Sequence, residues 1–391
     1  MRILIITNHY LDNNSGGSFA SRAFVNAFSE IADSCMLLYP DRGIPIDNFI
    51  HKKCILKGIQ NKESNIEKVI DIYYGRIHRY LDVAISQINE FNPNLVVFDN
   101  SRCSAGLLKK VKRMGKKIIT IHHNYEVEYY NGSKPFIAWR IPFMHYMKKA
   151  ESVAVQFSDL NLTLTEQDIK LLQINYDPKK TVKMSKFGCF ESISSLVEDD
   201  NRINDKDLAQ NHNLCFVITG SLNAYQTEVS VILFLKNIYP ELLKKLPESK
   251  LIIAGSNPSM KIMNACKKYP SISVVRNPVN MQDVIEQADV YICPICVGGG
   301  LKLRVMDGLK AGLPVLTHTV SARGYDDFKK ANCLFEYVDK DSFMDNLDIV
   351  LSKIHEKSLD KKTIKYLYHS LFSYEMGVKR LKEILSNNEM N

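Results

Sequence analysis

The feature that most restricts the fold of this chain is a short apolar run that recurs along it, each time followed by a turn and a helical pattern. The first such run is RILIIT at residues 2–7. Runs of this kind are typical of strands buried on both faces of a parallel sheet, and their alternation with helices requires crossover connections. We therefore predict an α/β fold, with further strands at 35–39, 95–100 and 117–126, within 158–168, at the start of 214–235, at 250–255, 272–275 and 290–293, and from 314 onward, where the second sheet closes.

Length and composition along the chain predict two domains. At 391 residues the chain is long enough for two domains that each bury a core. The segment 191–213 is polar and acidic without strong periodicity, and we interpret it as a linker. This interpretation predicts Rossmann-like domains at residues 1–190 and 214–360. Residues 361–391 carry an apolar stripe at helical spacing and are predicted to form one C-terminal helix.

The composition is that of a folded globular protein, with 45% hydrophobic and 24% charged residues, and it argues against a disordered chain. Lys+Arg 51 against Asp+Glu 43 gives a formal charge of +8. That excess suits an anionic small molecule, an anionic membrane surface or nucleic acid. No aromatic RNA motif or helix-turn-helix pattern accompanies it, so nucleic acid is the least expected partner.

Segment lengths and cysteine usage predict a cytoplasmic protein. No stretch reaches the roughly 18 apolar residues of a membrane span, and the opening MRILIIT is too short for a signal peptide. The nine cysteines are scattered, as in a reducing compartment. Cys293 and Cys296 form a single Cys-x-x-Cys pair, which offers too few ligands for zinc, so no metal or cofactor is expected.

The stretch 290–317 carries the clearest chemical signal. A short apolar strand leads into three consecutive glycines, Gly298, Gly299 and Gly300, and then into a helical pattern. A glycine-rich turn lets backbone N–H groups approach an anion, and a helix N-terminus favours negative charge. Lys302, predicted in the first helical turn, suits a phosphate, with Arg304 as a second cation and Asp307 as an acceptor for ribose hydroxyls. The pattern indicates a diphosphate and ribose site, and a turn used only for packing is the alternative.

The sequence GGGLKLRVMDGLKAGLPVL resembles the donor-site segment of retaining glycosyltransferases of the GT-B fold, especially glycosyltransferase family 4. That family often has two glutamates eight positions apart, where this chain has Gly299 and Asp307. A branch of the family replaces the first glutamate by Gly-x-Gly-x-Lys, which Gly298, Gly300 and Lys302 match. The resemblance implies two Rossmann-like domains facing across a cleft, a C-terminal helix that crosses back to the first domain, and a nucleoside-diphosphate sugar as donor.

The resemblance extends to two segments of the first half. Gly16 and Gly17 lie in the loop before the first helical pattern, and the family has glycines there beside the donor phosphates and the acceptor. The sequence HNYE resembles a His-Asn-x-Glu segment in which the histidine faces the donor sugar. The resemblance therefore implies that His123 is catalytic, with Asn124 and Glu126 as sugar or acceptor contacts. A simple tight turn and a histidine satisfied inside a loop are the alternatives.

Two further segments of the second half also match. GSLN resembles the first strand and turn of the family's donor domain, which implies that Gly220 and Ser221 lie at the diphosphate and Asn223 at the sugar or acceptor. FSYE at residues 372–375 resembles the Phe-Ser-aromatic element with which such chains return to the first domain.

The resemblance implies transfer of a hexose, with retention of configuration, to a glycan or lipid-linked acceptor, most commonly in surface polysaccharide synthesis. Residues 134–149 mix aromatic and basic side chains and favour peripheral contact with an anionic membrane at its inner face, or packing of an irregular helix. Gly299 and Asp307, which depart from the glutamate pair, leave a catalytically silent nucleotide-sugar-binding partner open. A nucleotide-sugar epimerase is a third interpretation, because such epimerases share this two-domain architecture.

Overall fold

The computed structural model describes residues 1–13, 15–60, 78–103, 105–133, 140–193 and 213–390. The chain divides into two compact units. The first is drawn from Met1–Tyr130, Phe136–Arg202 and Leu371–Asn391, and the second from Asn131–Pro135 and Ile203–Ser370.

The first unit is built on a parallel sheet, which has seven strands among the described residues, in the order β3-β2-β1-β4-β5-β6-β7. Strand β1 lies near the middle, and the order reverses between it and β4, as in a doubly wound sheet. The strands are β1 Arg2–Thr7, β2 Ser34–Asp41, β3 Cys54–Gln60, β4 Leu95–Asp99, β5 Lys117–His122, β6 Leu160–Thr163 and β7 Met184–Lys186.

Helices pack against this sheet because the strands have apolar residues on both faces. The helices are α1 Gly16–Ile31, α2 His78–Phe91, α3 Ala105–Arg113, α4 Glu126–Ser133, α5 Arg140–Phe157 and α6 Glu166–Tyr176. Leu4 and Val96 of the sheet share one core with Ile88 of α2 and Leu107 of α3. Thr165 is the N-cap of helix α6, and its hydroxyl accepts from the Asp168 N–H at 3.0 Å.

The second unit repeats the design with a parallel sheet that has six strands within the part of the unit that the structure describes, in the order β10-β9-β8-β11-β12-β13. Its strands are β8 Cys215–Ser221, β9 Lys250–Ser256, β10 Ile272–Arg276, β11 Val290–Cys293, β12 Val315–His318 and β13 Leu334–Tyr337. Its helices are α7 Tyr225–Asn237, α8 Tyr239–Lys245, α9 Met260–Cys266, α10 Gln282–Ile285, α11 Arg304–Lys310, α12 Asp326–Lys330, α13 Lys340–His355 and α14 Lys361–Phe372. The prediction of two parallel Rossmann-like sheets is confirmed.

The chain ends in two helices where the apolar stripe predicted one. Helix α14 stops at Phe372, and α15 spans Tyr374–Asn387. Ser373 separates them because its backbone is extended and its hydroxyl accepts from the Met376 N–H, which makes it the N-cap of α15. Helix α15 contacts α1, so the predicted return of the C-terminal helix to the first unit is confirmed.

Three edge or near-edge strands escaped prediction. Strand β3 alternates buried and exposed residues, and β7 has only three residues, so neither shows a continuous apolar run. The second sheet closes at β13 and not at β12 as predicted, because the four-residue strand Leu334–Tyr337 pairs beyond it.

Parts of two predictions fall outside the described residues. The linker predicted at 191–213 is described only at its ends, and residues 194–212 lie outside. Of the basic aromatic segment 134–149, residues 134–139 also lie outside. Within the described ranges, the structure contains no helix long and apolar enough to cross a membrane.

Candidate functional site

In the second unit, the predicted glycine segment forms the connection between β11 and α11. Gly298 has φ of +89° and Gly300 has φ of +69°, conformations that residues with a side chain rarely adopt. A β-carbon on Gly298 would also overlap the Gln226 side-chain amide. The turn therefore needs glycine at these positions for both its backbone angles and its close contact.

Lys302 lies within this connection and closes it. Its ammonium donates to the Gly299 carbonyl at 2.8 Å and to Gln226 Oε1 at 3.3 Å. The residue is 9% exposed, and the Tyr325 hydroxyl donates to its carbonyl at 2.9 Å. The prediction that Lys302 stands in the first turn of the helix is wrong, because α11 begins at Arg304. The glycine loop therefore continues past Lys302 and ends two residues later than predicted, where α11 begins.

Arg304 and Gly220 lie together at the end of β8. The Arg304 guanidinium donates to the Thr219 carbonyl at 3.3 Å and to the Thr227 hydroxyl at 3.1 Å. Gly220 has φ of +146°, and a β-carbon there would overlap the same guanidinium. Arg304 thus connects α11 to β8 and α7 by hydrogen bonds. This structural contact is additional to its predicted role at the diphosphate.

The remaining predicted donor residues of this unit are exposed. Asp307 lies in the first turn of α11 with an exposed side chain. Ser221 and Asn223 are exposed at and after the end of β8, and the Ser221 hydroxyl lies 3.1 Å from that of Ser256. Within the second unit, Gly220, Ser221 and Arg304 gather at the carboxyl end of β8, and the glycine turn with Lys302 follows the carboxyl end of β11, the neighbouring strand. Ligands of parallel α/β sheets bind at that edge.

In the first unit, His123 follows the carboxyl end of β5 and forms a buried pair with Asp99 at the end of β4. His123 Nε2 lies 2.6 Å from Asp99 Oδ1, and the two side chains are 4% and 0% exposed. The Thr7 hydroxyl donates to the other Asp99 oxygen at 2.7 Å. Burial alone would raise the pKa of the Asp99 carboxyl, but the charge and hydrogen bond of His123 lower it to about 2. An ionised Asp99 therefore orients the His123 ring.

His9, which the sequence did not single out, stacks on His123 with ring centroids 4.8 Å apart and planes 29° apart. Burial, together with the neighbouring His123, lowers the pKa of His9 to about 3. Burial also lowers the pKa of His122, whose Nε2 meets Asn161 Oδ1 at 2.9 Å, to about 4. Both rings are therefore neutral near pH 7. No local motif marks His9, since its stacking partner His123 is more than one hundred residues away in the sequence.

The prediction that Gly16 and Gly17 lie in the loop before the first helix is wrong, because they are the first two residues of α1. Ser15 is the N-cap, and its hydroxyl accepts from the Ser18 N–H at 3.2 Å. A β-carbon on Gly17 would lie 2.7 Å from His9 Cε1. The structure thus gives Gly17 a packing reason in addition to its predicted phosphate role.

Asn124 and Glu126 differ in exposure. Asn124 is partly buried, whereas Glu126, the first residue of α4, is 1% exposed. Glu126 Oε1 accepts from Asn100 Nδ2 at 3.3 Å, and its N–H donates to Glu151 Oε1 at 2.9 Å. Burial and the nearby Glu126 carboxylate raise the pKa of Glu151. Glu126 therefore belongs to a buried polar network, and a role as a sugar contact stays a prediction.

Residues 213–353 match the family model of glycosyl transferases group 1. The segment contains the glycine turn, Lys302, Arg304 and Asp307. No curated protein matches the sequence.

Solved structures of similar fold cover the whole chain. Sucrose-phosphate synthase from Thermosynechococcus elongatus superimposes with a TM-score of 0.71 at 11% identity, over 99% of this chain and 98% of the other. HepE from Anabaena, in complex with UDP, gives 0.68 at 9% identity over 99% and 100%. WaaG, a glycosyltransferase involved in lipopolysaccharide biosynthesis, gives 0.63 at 14% identity over 97% and 98%. Together with the family match, this likeness confirms the resemblance to glycosyltransferases of the GT-B fold that the sequence predicted.

Proposed function

We propose, on the premise that residues 213–353 carry a group 1 glycosyltransferase domain, that this chain transfers a hexose from a nucleoside-diphosphate sugar to a glycan or lipid-linked acceptor with retention of configuration. The observation that carries the proposal is the closure of the glycine turn by the Lys302 ammonium, at the carboxyl edge of the second sheet. A buried cation beside left-handed glycines suits a diphosphate, because both the ammonium and the free amide groups of such a turn favour anions.

In this reaction the bond between the sugar's anomeric carbon and the diphosphate breaks, and a bond from the acceptor oxygen to that carbon forms on the same face. The acceptor's proton passes to the departing diphosphate. Fixed cations and N–H donors that meet the growing diphosphate charge supply most of the rate enhancement. We assign this role to Lys302 and the amides of Gly298, Gly299 and Gly300, with Gly16, Gly17, Gly220, Ser221 and Arg304 as further diphosphate contacts. Asp307 is assigned to the ribose because its exposed carboxylate lies in the first turn of α11.

His123 is assigned to the sugar. With Nε2–H donated to Asp99, the neutral ring presents the Nδ1 lone pair, and the protonated ring presents an N–H. Either form can hydrogen-bond a sugar hydroxyl, and the protonated form also stabilises the negative charge that develops on the leaving group. Asn124, Glu126 and Asn223 are kept as candidate sugar or acceptor contacts.

Surface polysaccharide synthesis at the cytoplasmic face of a membrane is the setting that we propose. WaaG acts in lipopolysaccharide biosynthesis and supports lipid-linked glycans as the first acceptors to test. HepE was solved with UDP and supports UDP-sugars as the first donors. The basic residues of segment 134–149 support peripheral contact with anionic lipid.

The test is turnover with a panel of nucleotide sugars and acceptors, with the anomeric configuration of the product read by NMR. We expect release of nucleoside diphosphate only with a matching acceptor, a product of retained configuration, and a loss of about 10²–10³-fold in Lys302→Met. An exposed lysine of the same unit, Lys267, gives the matched control Lys267→Met. An inverted product would overturn the proposed stereochemistry.

Two other outcomes would replace the proposal. Conversion of the donor sugar without an acceptor would assign the chain to the epimerases. Tight nucleotide-sugar binding without turnover across the panel would make it a catalytically silent partner.

A further inference from the structure

His9, a further histidine of the first unit, has contacts as well defined as those of His123. It lies just beyond β1, and its N–H donates to the Thr7 hydroxyl at 3.1 Å. The same hydroxyl donates to Asp99 at 2.7 Å. Thr7 therefore links the backbone of His9 to the carboxylate that binds His123. Through this one side chain, the two imidazole rings are positioned relative to each other.

Three groups fix the His123 ring. Asp99 meets its Nε2 at 2.6 Å, Phe24 of α1 meets its edge with centroids 5.5 Å apart, and His9 covers its face. Asp99 restrains the position of one ring atom but leaves the ring free to tilt about that bond. The stacked His9 and the edge-on Phe24 remove this freedom, because a tilt would bring the ring into one of them.

The close contact with Gly17 shows that the His9 ring fills the space that a side chain at position 17 would need. A β-carbon at Gly17 would lie 2.7 Å from His9 Cε1 and 3.0 Å from Nδ1. Contacts below 3.0 Å force one of the two groups to move. The first turn of α1 thus lies directly against the His9 ring, and only glycine permits this approach.

His9 is also costly to the fold. Its Nε2 is buried and has no hydrogen-bond partner among the described residues. A buried polar atom without a partner costs about 1–3 kcal/mol. The charged or titratable groups that face His9 are His123, Asp99 and Arg102, and burial is the main cause that keeps its ring neutral. A neutral His9 ring can stack on His123 without placing a positive charge beside it.

We propose that His9 is a positioning residue for His123: its ring holds the imidazole of His123 at the tilt at which Nε2 meets Asp99, and Gly17 is glycine in order to admit that ring. The consequence for turnover depends on the proposed function, whereas the consequence for the His123 ring does not. A flat neutral ring is what the position requires, so phenylalanine replaces histidine there and a small side chain does not.

The test is the ring nitrogen NMR spectrum of His123 in the full chain labelled with ¹⁵N-histidine. In the wild type we expect one sharp set of His123 ring signals, because the ring has a single orientation against Asp99, His9 and Phe24. His9→Phe keeps that signature, whereas His9→Ala broadens or doubles the signals because the ring tilts between orientations. Gly17→Ala, which leaves His9 present but displaces it, gives the same broadening as His9→Ala. His145→Phe, a change at an exposed histidine of the same unit, is the matched control.

With a donor and acceptor in hand, His9→Ala is expected to lower kcat about tenfold or more with little change in KM for the donor, and His9→Phe to restore kcat to within about threefold of the wild type. Melting curves of each variant confirm that it is folded. A single sharp set of His123 ring signals in both His9→Ala and Gly17→Ala would overturn the proposal, as would a His9→Phe variant as impaired as His9→Ala. Absence of turnover in the wild type would remove the proposed function and leave the NMR test standing.

Discussion

The two candidate sites are held in opposite ways. In the first unit, the buried side chains Thr7, Asp99 and His123, from three separate strand ends, contact one another, and the partly exposed His9 stacks on His123. In the second unit, a lysine is held by the carbonyl of its own loop, three residues away, and by one glutamine. The first site is therefore held by side chains from separate strands, whereas we expect an anion at the second to compete with a backbone carbonyl for the ammonium. The comparison shows how one chain can keep an orienting group fixed and a charge-binding group exchangeable.

Acid should affect the first unit before the second, because among the described residues the first unit carries two histidines whose pKa values are lowered to about 4 or below. The pKa of His9 is lowered to about 3 and that of His122 to about 4, while partial burial lowers the pKa of His318 in the second unit. The unfolded chain takes up protons near pH 6.5 and the folded one does not, so stability is lost as the pH falls below that value, by about 1.4 kcal/mol per pH unit for each ring. The Asp99 contribution, present above its unfolded pKa, is lost only below about pH 4.

Hydrogen exchange at pH 7, 5.5 and 4.5, resolved by peptide, measures this difference. Strands β1, β4 and β5 should lose protection before β8 and β11. The variant His122→Asn should shift the loss to lower pH. Simultaneous loss of protection in both sheets would contradict the comparison.

Asp99→Asn sharpens the comparison at the fixed site. The amide keeps the shape of the carboxylate but loses the charge that orients and stabilises the His123 ring. We expect turnover to fall about 100-fold, equivalent to about 2.7 kcal/mol, with donor affinity nearly unchanged. Asp159→Asn, a partly exposed carboxylate of the same unit, is the control. Equal losses in kcat/KM and in nucleotide affinity would place Asp99 at the donor instead.

Gly298→Ala probes the exchangeable site. The added β-carbon overlaps the Gln226 amide, and Gln226 must move away from Lys302. We expect binding of a nucleoside diphosphate to weaken about tenfold, together with about 1 kcal/mol of backbone strain. Gly115→Ala separates the two effects, because Gly115 also has positive φ, +72°, but has open space around its β position. Calorimetric titration of both variants with UDP measures the difference, and equal affinities would show that Gln226 does not matter.

The smallest expected effect concerns the helix caps of the first unit. Thr165 is buried, accepts from the Asp168 N–H and donates to the Asp168 carboxylate at 2.6 Å. Thr165→Ala should lower the free energy of unfolding by about 1–2 kcal/mol. Ser373→Ala, at the long 3.4 Å cap of α15, should cost less. Urea unfolding of both variants gives the comparison, and a larger loss at Ser373 would contradict it.

Sequence reasoning succeeded where the relevant residues are neighbours in the chain. Gly298, Gly300 and Lys302 lie at alternate positions of one five-residue stretch, so their spacing alone predicted a turn that could approach an anion. The apolar runs predicted most strands of both sheets. It failed where structure depends on distant partners. His9 has no local signature, because His123, on which it stacks, is brought to it only by the sheet order. Lys302 was predicted in a helix because hydrophobic periodicity does not show where a glycine loop ends. The last helix was predicted as one because a continuous apolar stripe does not show that Ser373 caps a new helix.

The most direct measurement of the central claim is the melting temperature of the purified chain with a panel of nucleoside diphosphates and nucleotide sugars. A ligand that binds only the folded state at 100 times its Kd adds about 2.7 kcal/mol, a rise of about 5 °C or more for domains of this size. The account predicts such a rise with one nucleotide class, retained in Lys267→Met and lost in Lys302→Met. No rise with any nucleotide, or an equal rise in both variants, would contradict the assignment of the glycine turn to the donor.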